Sequence, residues 1–170
     1  EAFVNLFCAG CITIGRKGKE LADMEGLKSA GCIALSDDGN FVADSGIMRR
    51  ALEKSSKLNL RIISHSEDTS LSRGGQINEG PVSKRLGLKG IPHQAEEIAV
   101  YRDISLSGLT HIPIHIAHIS AAGTVALIRN AKAKGIPVTC ETAPHYFSLT
   151  DDCLNTPPDG NLKVSPPLRS

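Results

Sequence analysis

The chain has 170 residues, 41% hydrophobic and 22% charged, and its 19 Lys+Arg against 18 Asp+Glu leave a formal charge of +1. With two Tyr, four Phe and no Trp besides, it offers neither a basic stripe for phosphates nor an aromatic platform for bases, which argues against nucleic-acid binding. No apolar run approaches the roughly 20 residues of a membrane helix and no signal-peptide pattern opens the chain, so a cytoplasmic protein is expected.

Phe3 to Thr13 is the first strand candidate, and it carries Cys8 and Cys11 in a C-x-x-C spacing. Five cysteines, an odd number, fit free thiols better than a disulfide framework. The pair lies in an apolar run with no second pair to complete a zinc site, so burial as small apolar side chains is the better reading than redox or zinc chemistry. A helical segment from Gly18 to Ala30 follows, then a strand from Gly31 to Asp37. Ser45 to Leu58 has a helical stripe of Ile47, Met48, Ala51 and Leu52, with Asp44 or Ser45 able to cap its start. Leu60 to His65 is the third strand. After it, Glu67 to Pro92 carries seven Gly or Pro residues and reads as one long functional loop at a strand's C-terminal end. The chain continues with a helix over His93 to Leu109, a strand over Ile112 to Ile119, a helix over Ala121 to Lys134 that Gly135 should end, and a strand over Ile136 to Thr142. The strands are nearly continuously apolar, as if covered on both faces.

Strands alternating with helices predict an α/β fold with a parallel sheet. Five strands suit an open doubly wound sheet or the middle of an eight-stranded barrel. The first residue is Glu1, and Lys163 to Ser170 reads as a loop with no closing element; both lead us to expect a piece of something longer and to favour the barrel.

Polar residues cluster where the strands end: Ser36-Asp37-Asp38-Gly39, Ser64-His65-Ser66-Glu67-Asp68, His118-Ile119-Ser120 and Glu141 to His145. Parallel strands put these ends on one rim, where Asp38, His65 and His118 would meet as ligands suited to zinc. Asp37 or Asp38 before Gly39 is equally good turn chemistry, and a single strand-end histidine is more often a hydrogen-bonded rim residue than a ligand. His115 and His118 point to opposite sides if extended, so only one of them can serve a shared interior. His93 reads as a solvated helix cap, and His145 either as a partner to a metal ligand or as a structural hydrogen bonder.

Taken in order, Ser36-Asp37-Asp38-Gly39, His65-Ser66-Glu67-Asp68, Asn78-Glu79-Gly80, Gly87 to Pro92 with Glu96, Arg102-Asp103, His115-Ile116-Ala117-His118-Ile119-Ser120, Pro144-His145 and Lys163 to Arg169 resemble the class I dihydroorotases of the amidohydrolase superfamily. The resemblance runs from Phe3 to the last residue. It implies an incomplete catalytic barrel over residues 1–170, a partial (β/α)8 TIM barrel holding about strands three to seven. It also implies a site with two zinc ions, in which Asp38 bridges the metals and His65 and His118 hold the second. The family's His-x-His pair and its general-base Asp have no counterpart here, so this stretch supplies no catalytic base and is expected to be inactive by itself. Related dihydropyrimidinases and allantoinases usually carry a carboxylated lysine where Asp38 stands, and no Lys lies between Lys28 and Lys54.

The implied reaction interconverts N-carbamoyl-L-aspartate and L-dihydroorotate in pyrimidine biosynthesis, with a small-molecule substrate and an association with aspartate transcarbamoylase or a second copy. Ser165 stands where many members have a substrate-contacting Asn, and it offers a shorter hydroxyl for the same purpose. Ser66 and Tyr146 replace a common Cys and His beside family motifs, and Glu141 and His145 are candidates to orient the two histidine ligands. A metal-free relative that supports aspartate transcarbamoylase, or another cyclic-ureide amidohydrolase, would be the alternatives; retention of all three ligands weighs against the first.

Overall fold

The computed structural model describes residues 3–155 and 159–170. Among them the chain forms β1 (Ala9–Gly10), α1 (Met24–Ser29), β2 (Ala34–Leu35), α2 (Ser45–Lys57), β3 (Arg61–Ser64), α3 (Thr69–Ser72), β4 (Ile77–Asn78), α4 (Pro81–Leu86), β5 (Gly90–Ile91), α5 (Gln94–Thr110), β6 (Ile114–Ile116), α6 (Ala122–Ala133), β7 (Val138–Cys140) and α7 (Pro144–Ser148). Asp44 caps α2 by accepting from the Ile47 N–H at 2.8 Å, and the stripe expected there is the buried face: Ile47, Met48, Ala51, Leu52 and Ser55. Gly135, with φ +73°, supplies the left-handed residue just past α6.

The main sheet runs β1-β2-β3-β6-β7, parallel throughout, with registers such as Ile62 beside Ile114 and Ile114 beside Val138. Strands follow one another across the sheet in chain order. A doubly wound sheet reverses its order at a switch point, whereas a barrel advances strand by strand, so this order is that of a barrel. Helices α2, α5 and α6 cover one face and bury a continuous core that includes Leu35, Met48, Leu52, Ile62, Val100, Ile114, Ile116 and Ile128.

Three expectations need correction. The opposite face of the sheet is only partly covered, because Ile63 and His115 are half-buried and Thr139 is exposed at matched positions. Cys8 is exposed and Cys11 half-buried, so the C-x-x-C pair is not a core feature. The stretch from Glu67 to Pro92 is a small lobe with its own parallel pair, β4 beside β5, and a separate apolar cluster of Ile77, Val82 and Leu154. Its glycines allow that pairing: a Cβ on Gly90 would lie 2.5 Å from the Glu79 Cα, so only glycine lets the strands approach. Among the described residues no helix is long and apolar enough to cross a membrane.

Candidate metal centre

Because the sheet is parallel, its C-terminal strand ends share one rim. Asp38 lies three residues past β2, His65 follows β3 directly, and His118 lies two residues past β6. One donor atom from each falls within 4.8 Å of the other two. The Asp38 carboxylate Oδ1 is 3.0 Å from His65 Nδ1 and 3.4 Å from His118 Nε2, and the two imidazole nitrogens are 2.9 Å apart. His115, within β6 and three residues before His118, turns instead to Thr139 Oγ1 at 2.8 Å, so only one of these two histidines reaches the cluster.

These separations suit a cation. Four ligands at the zinc–nitrogen distance of about 2.0–2.1 Å stand ~3.3 Å from one another in a tetrahedron, close to the three spacings found here. Two imidazoles and a carboxylate are also the donor chemistry that zinc takes. The donor set therefore fits the metal that the family resemblance implies.

The adjacent aspartates have opposite surroundings. Asp37 is 2% exposed and accepts from the Ile12 N–H at 2.8 Å, the Thr13 N–H at 3.1 Å and the Thr13 hydroxyl. Asp38 has a side chain 63% exposed and takes the Gly39 N–H at 2.8 Å, so it is at once the turn residue and the candidate metal ligand. Arg16 closes the turn by donating to the Asp38 carbonyl at 2.8 Å.

His65 and Asp38 titrate away from their ordinary ranges. Burial, reinforced by the neighbouring His118 charge, pushes the His65 imidazole down. Burial works to raise Asp38, but the Gly39 N–H, the His118 hydrogen bond and the two imidazole charges outweigh it and hold the carboxyl low. Both shifts favour the forms a metal needs: neutral imidazole and carboxylate. In metal-free protein the stability is expected to fall as pH drops through about 6.5, where the unfolded imidazole takes up a proton that folded His65 resists. Thermal melts between about pH 8 and pH 5 check this, and His65→Gln should flatten the slope.

Buried carboxylates hold the rim from behind. Asp103 on α5 is fully buried, accepts from the Ser64 hydroxyl at 2.6 Å and the Ser66 hydroxyl at 2.9 Å, and pairs with Arg102 Nε at 2.8 Å. Glu96, 4% exposed, accepts from the Ser120 hydroxyl, from the Ser120 N–H at 3.0 and 3.1 Å, and from the Ala121 N–H at 3.0 Å. Since Ala121 offers no capping side chain, Glu96 also serves as the cap of α6. Both residues stood in the quoted motifs without a role; a charged residue at a helical spacing that places it on the buried face was the signal.

Glu141 lies 3.7 Å from His115 Nε2, and His145 packs its ring on Tyr146, so neither expected orienting residue bonds to His65 or His118. His93, exposed at the N-cap position of α5, makes no side-chain cap and instead bonds the Glu97 carboxylate at 2.9 Å. Ser165 is exposed and takes no part in the bonds joining the three donors. It precedes a segment anchored by the Tyr146 hydroxyl, which donates to the Pro166 carbonyl at 2.9 Å; burial pushes that phenol up to about 12, with Glu96 adding to the effect, so the donor persists. A cavity of about 420 Å³ lies beside the His118 segment, bounded by Ser120, Thr142, Tyr146 and Arg169.

The dihydro-orotase-like family profile matches residues 1–124. The chain belongs to the dihydro-orotase-like family. It is 56% identical over 170 residues to the dihydroorotase of Citrifermentans bemidjiense and 55% identical over 173 residues to that of Geobacter sulfurreducens, matching 100% of this chain and 40% of each relative. The chain thus spans about 40% of the length of the curated relatives it matches. Among solved structures it superposes on the L-hydantoinase (dihydropyrimidinase) of Arthrobacter aurescens with a TM-score of 0.76 at 21% identity, covering 98% of this chain and 38% of that one. The D-hydantoinase of Bacillus sp. AR9 gives 0.70 at 24% identity, covering 95% and 38%. The fold of this dihydro-orotase-like chain is accordingly a portion of a (β/α)8 barrel.

Proposed function

We propose that the chain is the central part of the catalytic barrel of a zinc-dependent dihydroorotase. In this reading the whole protein closes N-carbamoyl-L-aspartate to L-dihydroorotate with loss of water, and reverses the step, in the cytoplasm. The observation that carries it is the convergence of Asp38, His65 and His118 on one rim, in a chain 56% identical to a named dihydroorotase. Asp38, His65 and His118 would hold zinc, two ions per site with Asp38 shared between them. Zinc bound there supplies Lewis acidity toward the ring carbonyl and lowers the pKa of water toward neutrality.

The chain's own residues prepare that chemistry. Burial disfavours the protonated form of His65, whose Nδ1 faces Asp38 and His118. The Gly39 N–H holds Asp38 as a carboxylate at the rim. Ser165, exposed on the final segment, is assigned to hydrogen-bond the substrate carboxylate. The general base and a first pair of histidines belong to the rest of the barrel. Association with aspartate transcarbamoylase or with a second copy is part of the same proposal.

The test is a substrate panel on the full-length protein loaded with zinc. Turnover of L-dihydroorotate and N-carbamoyl-L-aspartate, with dihydrouracil, hydantoin and allantoin unreacted, is the expected result. Preference for hydantoin or dihydrouracil would replace the reading with a cyclic-ureide amidohydrolase, and no turnover of any compound despite bound zinc would leave a non-catalytic partner protein.

A further inference from the structure

Outside the cluster itself the His118 ring has no side-chain support: its Nε2 faces His65 and Asp38, and its Nδ1 is buried without a hydrogen-bond partner. Its backbone is held at φ +37°, a conformation unfavourable for any residue with a Cβ, which survives only where the surroundings impose it. What imposes it is the backbone on either side. The Ala117 N–H donates to the Ser64 carbonyl at 3.0 Å and the Ile119 N–H to the Glu141 carbonyl at 2.9 Å, while Ser120 and Ala121 are gripped by Glu96. His65 is held in the same manner, from both sides, by the bonds of Ser64 and Ser66 to Asp103.

Glu96 and Asp103 sit on one helix, α5, on the buried face that also presents Ala99, Val100 and Ser107. Seven residues separate them (103 − 96), which is two helical turns, so both carboxylates project from one side. Each has an arginine for its charge: Arg102 Nε lies 2.8 Å from Asp103, and Arg169 lies 3.9 Å from Glu96 while donating to the Ser120 hydroxyl at 3.1 Å. Buried ion pairs of this kind are costly to desolvate, and apolar residues of similar size would serve stability as well. Apart from those arginines, the hydrogen bonds the two carboxylates accept come from the neighbours of the two histidines.

We propose that α5 is a positioning clamp, in which Glu96 sets the backbone that carries His118 and Asp103 sets the backbone that carries His65, so that both govern the affinity of the cluster for a divalent cation without touching it. The inference rests on the metal reading above. Glu96 and Asp103 are positioning residues, and their effect passes through Ser120 and Ala121 on one side and Ser64 and Ser66 on the other.

The experiment measures zinc affinity by competition with a chromophoric chelator, and the visible spectrum of the cobalt-loaded form, on full-length Glu96→Gln and Asp103→Asn proteins. Loss of a group bonded directly to a metal ligand weakens binding about 10- to 100-fold; for carboxylates that grip the residues flanking the ligands the lower end, about 10-fold, with an altered cobalt band, is the expected result for each variant. Ile128→Val, on the buried face of α6, should lower the melting temperature yet leave affinity and spectrum alone. If a buried-carboxylate variant does not fold, Ser66→Ala and Ser120→Ala remove one hydroxyl from each grip and should show the same loss in smaller measure. Affinity within about twofold of the parent in the folded variants, while His118→Ala abolishes binding, overturns the clamp and spares the metal site. Undiminished binding by His118→Ala as well would overturn both.

Discussion

Asp38→Ala in the full-length protein is expected to lose zinc and to lower dihydroorotate turnover about 10³-fold or more, since a metal's Lewis acidity is worth several kcal/mol of transition-state stabilisation. The same change should scarcely affect the melting temperature of the metal-free protein. The side chain is 63% exposed, and the one backbone donor it would release, the Gly39 N–H, lies in an exposed turn that water can satisfy. Metal content, turnover and a thermal melt on one preparation check all three parts. Retained zinc together with retained turnover would remove Asp38 from the site.

Its neighbour should behave in the opposite way. Asp37→Ala is expected to destabilise the fold by about 3 kcal/mol or more, because burial leaves each unpaired donor costing about 1–3 kcal/mol. The Ile12 N–H, the Thr13 N–H and the Thr13 hydroxyl all lose their acceptor, and no solvent reaches a site where Ile12, Thr13 and Asp37 are each at most 2% exposed. The Thr13 hydroxyl also takes the Gly18 N–H at 2.9 Å, so the loop from Thr13 to Gly18 loosens with it. Urea denaturation of the two single variants side by side is the measurement; equal midpoints would show that Asp37 is not a structural staple.

That contrast marks how far the amino-acid pattern reads. Two aspartates before a glycine are equivalent on paper, and only the third dimension sends one to the backbone of residues 12 and 13 and the other to the rim. The periodic parts were legible: Asp44 caps α2, Gly135 ends α6, and apolar runs alternating with helical stripes place five strands in one parallel sheet. Strand extents were not, for the run from Phe3 to Thr13 yields a strand of two residues, Ala9–Gly10. An apolar run reports burial or attachment, whereas pairing depends on a neighbour's register. The lobe between Glu67 and Pro92 looked like a loop because its elements are two to six residues long and punctuated by glycine.

Of the site, the three donors were visible because strand ends collect polar residues, and the structure brings Asp38, His65 and His118 together. The support behind them left only a faint signal. Glu96 and Asp103 occupy buried positions of α5, and a charge in the apolar stripe blurs the very period by which a helix is recognised. Glu141 and His145 drew attention by lying near a strand end, yet their ring and carboxylate contacts go to Tyr146 and His115.

The three donors are drawn from stretches as much as 80 residues apart along the polypeptide. An ion seated among them would act as a covalent staple does, shutting chain segments that the denatured ensemble would have to reopen at an entropic gain. Each of the three βα units would then be unable to open without surrendering a ligand, so the tenacity with which the cation is kept and the reluctance of the barrel to unravel become one quantity. A chelator, on this view, is also a denaturant.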